Sequence, residues 1–391
     1  FGKEFFFTFL SPSVTICLHS YEVLSDYILG EDFYIMNIIV MIMLVFAVIG
    51  FLDKMLGLHL GLSDSFDKGL MTMGTMSISI VGVCSVGVSF IQTHLDSILH
   101  AVSFLPFEPS LLVGILLAPD MGGFSICQQL GGNPEIIILN GVVLTSILGQ
   151  TLSFQFPVFL SVLDEKEHPI MMKGFILGII AVPTGLIVSE MILRIPVSDF
   201  LGELLPLLFV CLLIAGGLIR FTAVTIRIFS AFARIIQLLT YGLFFLAVLG
   251  IFFPSLACTD LSAISDSVLT VFRSSIIVSG SLVLSEVILK FFREPLKRLA
   301  KQIGINEVSM IGLILNCATS LAILPLFSRM DRKGKLFNAA FSVSGAYLIG
   351  GQLGYISSVS DSFSVTIYLL SKAVCGLISI LLMMKFYEKL T

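Results

Sequence analysis

The chain has 391 residues, of which 57% are hydrophobic and only 12% are charged, with a formal net charge of −4 and a mean hydropathy of +1.05. An ordinary soluble domain carries about 25% charged residues, so this composition excludes that class and indicates an integral membrane protein. Apolar runs of about 18 residues or more recur along the chain, which is the length that an α-helix needs to cross a bilayer. We therefore expect one all-α, polytopic membrane domain over residues 35–391.

Residues 1–34 differ from the rest of the chain. They begin without Met, carry one lysine before a short apolar run and lack a small-residue cleavage pattern. We interpret them as an N-terminal extension from an upstream start, with a degenerate leader as the alternative. Met36 is a plausible native start, and we assign no function to residues 1–34.

Nine apolar stretches are predicted to span the membrane. Their approximate bounds are 35–52, 69–91, 135–163, 170–193, 200–218, 235–253, 267–289, 336–356 and 363–386. Two further apolar stretches, 109–134 and 308–328, are interrupted, and we do not count them as simple spans.

The first interrupted stretch, PSLLVGILLAPDMGGFSICQQLGGNP at 109–134, contains two short apolar runs that meet at the segment PDMGG, residues 119–123. Proline lacks a backbone donor and disfavours helix in the preceding residue, and glycine readily leaves helical dihedrals, so the helix should break here. Each run has seven or eight residues, which at about 1.5 Å per residue cannot cross a core of about 30 Å. We expect a re-entrant hairpin with Asp120 at its tip, near the middle of the membrane.

The second interrupted stretch, 308–328, lies between two basic segments, 290–301 and 329–335. Cytoplasmic loops are enriched in Lys and Arg, and a full crossing would place one of these segments outside. A second re-entrant hairpin keeps both in the cytoplasm. The same reasoning places the C-terminus in the cytoplasm and residues 254–266 outside, and the first hairpin then enters from the outer face.

The two hairpins occupy equivalent places in two units of opposite orientation. We interpret the chain as repeat A at about 67–193, linker helices at 200–253 and repeat B at about 266–388, which is the inverted-repeat layout of many transporters. A constant offset of 198 pairs Asn140 with Asn338, although identity between the units is poor. The alternative is a membrane protein whose two kinked segments are unrelated.

Asp120 is the main candidate for a binding residue. A carboxylate in the middle of a bilayer costs about 2.5 to 3.5 kcal/mol and normally faces a partner or a water-filled cavity, so we expect it to hold a cationic substrate. The alternative is a helix cap, in which the carboxylate binds N–H groups of the following half-helix. Met121, Gly122 and Gly123 are candidates for exposing backbone groups at the tip, unless the glycines only form the turn.

Other polar residues near the second break and in the later spans complete the candidate site. Short side chains at the second break suit a hydroxyl group, and they are Asn316, Thr319 and Ser320. Ser and Thr in membrane helices also bond to their own backbone, which is the alternative. The amides in the spans after the hairpins are Asn140, Gln150, Asn338 and Gln352. Hydrogen bonds between helices explain these amides as well as substrate contact does.

Five charged residues are predicted to lie at the membrane interface or to form structural ion pairs, and they are Glu190, Glu203, Arg273, Glu286 and Lys372. The chain has no nucleotide loop, nucleophile motif or metal-ligand spacing, and its seven cysteines form no CxxC pair. We therefore expect no enzyme activity, no cofactor, no metal and no nucleic-acid partner.

Five motifs, which contain few of the residues but span most of the length of the chain, are FDKGLMTMGTMSISIVG at 66–82, GILLAPDMGGFSICQQLGG at 114–132, REPL at 293–296, MDRKGKLFNAAFSVSGAY at 330–347 and GGQLGY at 350–355. In this order they resemble the family of bacterial ethanolamine-utilisation membrane transporters. The resemblance implies uptake of ethanolamine across the bacterial inner membrane, with Asp120 at the family's hairpin carboxylate position. The chain departs from the family pattern at 319–322, where it has TSLA for Asn-Asn-Ile-Pro, and at 351–352, where it has GQ for Asp-His.

We expect transport of ethanolamine, or of a similar small amino alcohol, through a midplane site between the two hairpins. One alternative is a facilitator for another small polar solute such as a nucleoside. The other is the membrane subunit of a sodium-pumping decarboxylase, in which a buried carboxylate serves ion translocation. The expected partners are the small amine and the lipid bilayer, and a homodimer is compatible with the sequence.

Overall fold

The computed structural model describes residues 38–390, and this part of the chain consists of α-helices with short 3-10 and π-helical segments, without a β-strand. The all-α membrane fold predicted from the sequence is confirmed. The extension at 1–34 and the suggested start at Met36 lie outside the described residues.

In chain order the helices are α1 (Ile38–Leu56), α2 (Ser63–Thr93), α3 (Leu95–Val102), α4 (Ser110–Leu116), α5 (Gly123–Leu130), α6 (Pro134–Val162), α7 (Glu165–Leu193), α8 (Val197–Arg220), α9 (Thr222–Phe252), α10 (Leu261–Phe291), α11 (Arg293–Ile303), α12 (Glu307–Ala318), α13 (Leu324–Phe327), α14 (Arg332–Ser344), α15 (Gly351–Val359) and α16 (Ser362–Glu388). Within the described residues, 8 helices are long and apolar enough to cross a membrane, namely α1, α2, α6 to α10 and α16. They correspond to all but one of the predicted spans.

The predicted span at 336–356 differs from the structure, because it is divided into α14 and α15. Between them Tyr347 has a φ of +60°, a conformation that non-glycine residues rarely adopt. The N–H groups of Tyr347 and Ile349 donate to the carbonyl oxygens of Asn316 and Cys317, at 3.1 and 3.0 Å. These carbonyls end α12 and would otherwise lack partners, so contacts between distant segments stabilise the break.

The structure breaks the helix at 119–123, as the sequence predicts. Leu117 and Ala118 are extended, Pro119–Met121 forms a 3-10 turn, and Gly122 has a φ of +87° before α5 begins. The second interrupted stretch breaks at Thr319, which is extended and precedes a 3-10 turn at Ser320–Ile323. That these helix pairs enter the bilayer from opposite faces stays a prediction.

The two predicted units have the same order of elements. In the first, α2 is followed by the short α3, the broken pair α4 and α5, and then α6, which is π-helical over Leu139–Gly149. In the second, α10 is followed by the short α11, the broken pair α12 and α13, and then the divided α14 and α15. This order is what a repeat requires, and the inverted orientation of the two units stays a prediction.

Small residues bring α10 close to its neighbours α1 and α2. A Cβ atom on Gly280 would lie 1.8 Å from the carbonyl oxygen of Met43, and one on Gly69 would lie 2.3 Å from Cα of Ser279. Such close backbone approach is typical of membrane helix interfaces rich in Gly and Ser. In contrast, the most apolar part of α9 is only 11% buried, which suits a helix that faces lipid.

Candidate functional site

A cavity of about 400 Å³ lies where the breaks in the helices meet. Its walls come from the break between α4 and α5, the break between α12 and α13, the break between α14 and α15, and parts of α2, α6, α9 and α10. The polar or backbone-exposing residues from the three breaks include Asp120, Met121, Thr319, Tyr347, Gly351 and Gln352. The structure therefore brings residues from both predicted units to one cavity.

Asp120 lies in the 3-10 turn of the first break, where it is half-buried and lines the cavity. Only glycine fits at position 122 of this turn, because a Cβ atom there would lie 2.1 Å from the side chain of Val83. The N–H of Gly123 donates to the carbonyl oxygen of Ala118 at 3.0 Å, which closes the turn. Gly122 and Gly123 thus shape the tip, while Asp120 and Met121 contact the cavity.

The capping alternative for Asp120 does not match the structure. α5 begins without a side-chain cap, and within the described residues no hydrogen bond joins the Asp120 carboxylate to the N–H groups of that helix. A carboxylate without such a bond, next to a cavity, can accept hydrogen bonds from a ligand. The geometry therefore favours a role in binding over a role in helix capping.

The second break places only one of its three candidates on the cavity. Thr319 lines it, whereas Ser320 is buried and donates from its hydroxyl to the hydroxyl of Tyr347 at 3.1 Å. Asn316 is also buried, and its amide donates to the carbonyl oxygen of Asn338 at 3.1 Å. Ser320 and Asn316 therefore hold the break together behind the cavity wall.

The four candidate amides divide into two pairs. Gln150 and Gln352 line the cavity, and each has one amide atom without a hydrogen-bond partner in the described structure, Oε1 of Gln150 and Nε2 of Gln352. Asn140 and Asn338 do not line it. Buried amide atoms normally find partners, so the two glutamines carry unsatisfied polar atoms in the wall of the cavity; among the described residues, Oδ1 of Asn140 and of Asn338 is also without a partner, but away from the cavity.

Asn140 and Asn338 instead tie each hairpin to the helix after it. Asn140 donates to the hydroxyl of Ser110 at 3.1 Å and to the carboxylate of Glu203 at 2.7 Å. Asn338 donates to the carbonyl oxygen of Ser309 at 2.9 Å. Ser110 begins α4 and Ser309 lies in the first turn of α12, so the two asparagines fasten equivalent helices.

Two of the five charged residues predicted for interfaces or ion pairs have clear structural partners. Glu286 pairs with Lys290 at 3.4 Å near the end of α10, which agrees with a structural ion pair. Glu203 is buried and accepts hydrogen bonds from Asn140 and from the N–H of Glu108, at 2.7 and 2.9 Å. It stabilises the first hairpin from the side of α8.

The interfacial prediction is wrong for Lys372, which is 1% exposed. Its ammonium donates to the carbonyl oxygen of Ser146 at 2.7 Å and to Oε1 of Gln352, and it lies 5.2 Å from the centroid of the Tyr368 ring. The depth of Lys372 could have been predicted by counting residues from the start of α16. Lys372 is ten residues after Ser362, the start of α16, and at about 1.5 Å per residue this places it about 15 Å along the helix, near the middle of a bilayer.

The fold and cavity together define a class of protein: a multi-pass helical membrane protein whose interrupted helices border a cavity with several polar side chains in its wall, as in many transporters. Comparison with known proteins then identifies the family. The chain belongs to the family described as ethanolamine utilisation protein, EutH, whose model matches residues 35–386.

Similar bacterial proteins cover most of the chain. The "probable ethanolamine permease EutH" of Listeria monocytogenes is 29% identical over 329 residues, which are 83% of this chain and 87% of that protein. The protein of the same name from Salmonella typhimurium is 25% identical over 322 residues, 76% of this chain and 79% of the relative. The "uncharacterized protein YxeR" of Bacillus subtilis is 25% identical over 333 residues, 83% of this chain and 88% of the relative. No solved structure matches the chain. The two relatives named probable permeases support a membrane transporter role.

Proposed function

We propose that this protein transports ethanolamine, or a similar small amino alcohol, through the cavity that joins the helix breaks. The observation that carries this proposal is the position of Asp120, a carboxylate in a broken membrane helix that lines a cavity together with residues of the other breaks. A small protonated amine needs a counter-ion once it leaves water, and a carboxylate that lines a cavity provides one. The names of the relatives point to the same substrate.

The groups around the cavity complement both ends of an amino alcohol. The ammonium group would donate to Asp120 and to Oε1 of Gln150, and the substrate hydroxyl would accept from Nε2 of Gln352 or bond to the hydroxyl of Thr319. Met121 borders the same space. A water molecule takes about 30 Å³ in the liquid, so a cavity of about 400 Å³ holds a small amine together with several waters.

In this proposal the cavity is exposed to the two sides of the membrane in turn. The two broken hairpins belong to inverted repeats, at about 67–193 and 266–388, and one unit moves against the other around the bound amine. The protein lies in the bacterial inner membrane with its C-terminus in the cytoplasm. The basic residues of α11 and of the first turn of α14 support this orientation, because such residues concentrate on the cytoplasmic side.

Uptake of radiolabelled ethanolamine into proteoliposomes tests the proposal. The assay is run at low pH and low concentration, where the cation dominates and diffusion of neutral amine is small. Hydrogen bonds to charged groups contribute about 1.5 to 3 kcal/mol, so we expect Asp120→Asn to lower kcat/KM about 10- to 100-fold. Asp96→Asn, which changes an exposed carboxylate on α3, is the matched control and should match the wild type.

Competition by unlabelled compounds assigns the substrate class. Other small amino alcohols should reduce ethanolamine uptake, whereas nucleosides should not. Unchanged uptake by Asp120→Asn would remove the central part of the proposal. Inhibition by nucleosides alone would indicate a nucleoside facilitator, and a strict need for sodium and soluble partner subunits would indicate a decarboxylase pump subunit.

A further inference from the structure

Lys372 is a fully buried cation whose direct hydrogen-bond partners are neutral. Its ammonium donates to the carbonyl oxygen of Ser146 on α6 and to Oε1 of Gln352 on α15, and the ring of Tyr368 lies beneath it at 5.2 Å. Carbonyl oxygens and an aromatic face favour an ammonium group but supply no countercharge. The countercharge has to come from another residue, since an unpaired charge is strongly disfavoured in a membrane interior.

Asp120 is the acidic group that acts on the Lys372 ammonium, and the two form no direct ion pair within the described residues. Among the described residues, the titratable groups that act on the Lys372 ammonium are the Asp120 carboxyl, from the first break, and the Cys375 thiol, from the same helix as Lys372. A protonated thiol is neutral, so Asp120 is the acidic partner. Gln352 accepts from Lys372 and lines the cavity that Asp120 also lines, so it links Lys372 to the wall of that cavity. With Asp120 ionised and Lys372 protonated, the site without substrate carries one negative and one positive charge.

A protonated amine changes this balance, because one carboxylate then faces two ammonium groups. In a medium of low dielectric the extra positive charge is disfavoured, and the site returns to neutrality when one of the two ammonium groups loses a proton. The substrate ammonium is held by Asp120, whereas Lys372 retains neutral partners that accommodate its amine. A lysine can lose its proton in a buried site, and an arginine cannot.

We propose that Lys372 is a proton-exchange group, so that each ammonium substrate that binds at Asp120 displaces one proton from Lys372 and transport moves no net charge. The N–H bond of Lys372 breaks and its proton passes to cavity water on the side from which the substrate came. After the substrate leaves on the other side, Lys372 takes a proton from that side. One organic cation enters for each proton that leaves. This inference rests on the proposed function, since it requires a cationic substrate at Asp120.

Accumulation of ethanolamine in proteoliposomes under an imposed membrane potential tests this exchange. A potassium gradient with valinomycin sets an inside-negative potential, and uptake by Asp120→Asn vesicles is subtracted as the diffusion background. Wild-type accumulation should change less than twofold with potential. In Lys372→Gln the substrate charge moves without a proton in exchange, so accumulation should rise about tenfold for each 59 mV or so of potential. Lys385→Gln, which changes an exposed lysine on the same helix, should behave like the wild type.

Lys372→Arg tests the loss of the proton independently of folding. Arginine keeps the positive charge and similar donors, so the variant should elute as a folded protein in gel filtration but lose at least tenfold in uptake. If Lys372 only held Gln352 in place, Lys372→Arg would retain more uptake than Lys372→Gln. Neither variant would then alter the dependence of accumulation on membrane potential.

The outcomes separate this inference from the proposed function. Wild-type accumulation that follows the potential would contradict proton exchange and leave ethanolamine transport intact. Wild-type uptake by Lys372→Arg would contradict it as well, as would Lys372→Gln accumulation that is independent of potential. Absence of ethanolamine uptake by the wild type at every potential would contradict the proposed function, and the exchange with it.

Discussion

The four candidate amide residues in the spans after the hairpins cannot be told apart from the sequence, but they have two different surroundings in the structure. All four have a buried amide atom without a partner in the described part of the chain, but Asn140 and Asn338 use their NH₂ groups to fasten the first helix of each hairpin, whereas Gln150 and Gln352 border the cavity. Local sequence cannot make this distinction, because the partners lie about 30 residues away for the two asparagines, as Ser110 and Ser309. We therefore expect substitutions in the two pairs to have different effects.

Asn140→Ala should reduce stability more than substrate affinity. The variant leaves the buried carboxylate of Glu203 without its side-chain donor at 2.7 Å, and loss of such a bond costs about 1.5 to 3 kcal/mol. We expect a lower thermal midpoint in detergent and a KM for ethanolamine within about twofold of the wild type. Gln150→Ala should show the opposite pattern, with a KM raised about fivefold for a bond of about 1 kcal/mol. A raised KM with unchanged stability in Asn140→Ala would instead make Asn140 a substrate contact.

At the scale of the elements, the breaks differ in how their backbone conformation is fixed. The first depends on local chemistry, since Pro119 lacks a donor and Gly122 has a φ of +87°. Sequence reasoning therefore located it. The break between α14 and α15 has no proline and depends on hydrogen bonds from Tyr347 and Ile349 to the end of α12. Because those partners are distant in sequence, the apolar run at 336–356 looked like an uninterrupted span.

Gly122→Ala should destabilise the first break and abolish uptake. An alanine in the left-handed region costs about 1 to 2 kcal/mol, and its Cβ atom would lie 2.1 Å from the Val83 side chain, which adds about 1 to 3 kcal/mol. We expect a clear fall in the thermal midpoint together with loss of ethanolamine uptake. Gly216→Ala is a suitable control, because that glycine lies in α8 with no atom within 4 Å of an added Cβ. Normal uptake by Gly122→Ala would mean that the tip does not need this conformation.

At the scale of the whole molecule, the lengths of apolar runs and the placement of Lys and Arg were enough to predict an all-α membrane fold. The cavity was less predictable, because α2 and α9 form parts of its wall although neither contains a break at that point. The interfacial prediction for Lys372 failed for a different reason. Its depth follows from its position in α16, but its partners Ser146 and Gln352 lie 226 and 20 residues away, so only the folded chain reveals the charge balance with Asp120.

The orientation of the molecule is open to a direct test with a native cysteine. Cys258 is exposed in the loop between α9 and α10, within residues 254–266, which carry no Lys or Arg and are predicted to lie outside. A membrane-impermeant maleimide should therefore label it in intact cells, and Cys258→Ser should abolish that labelling. In the Cys258→Ser background, Lys301→Cys places a thiol on α11 beyond α10, and it should react only after permeabilisation. Labelling of both positions from one side would mean that α10 does not cross the membrane. The reverse pattern would leave the helices unchanged but invert the predicted faces of both hairpins.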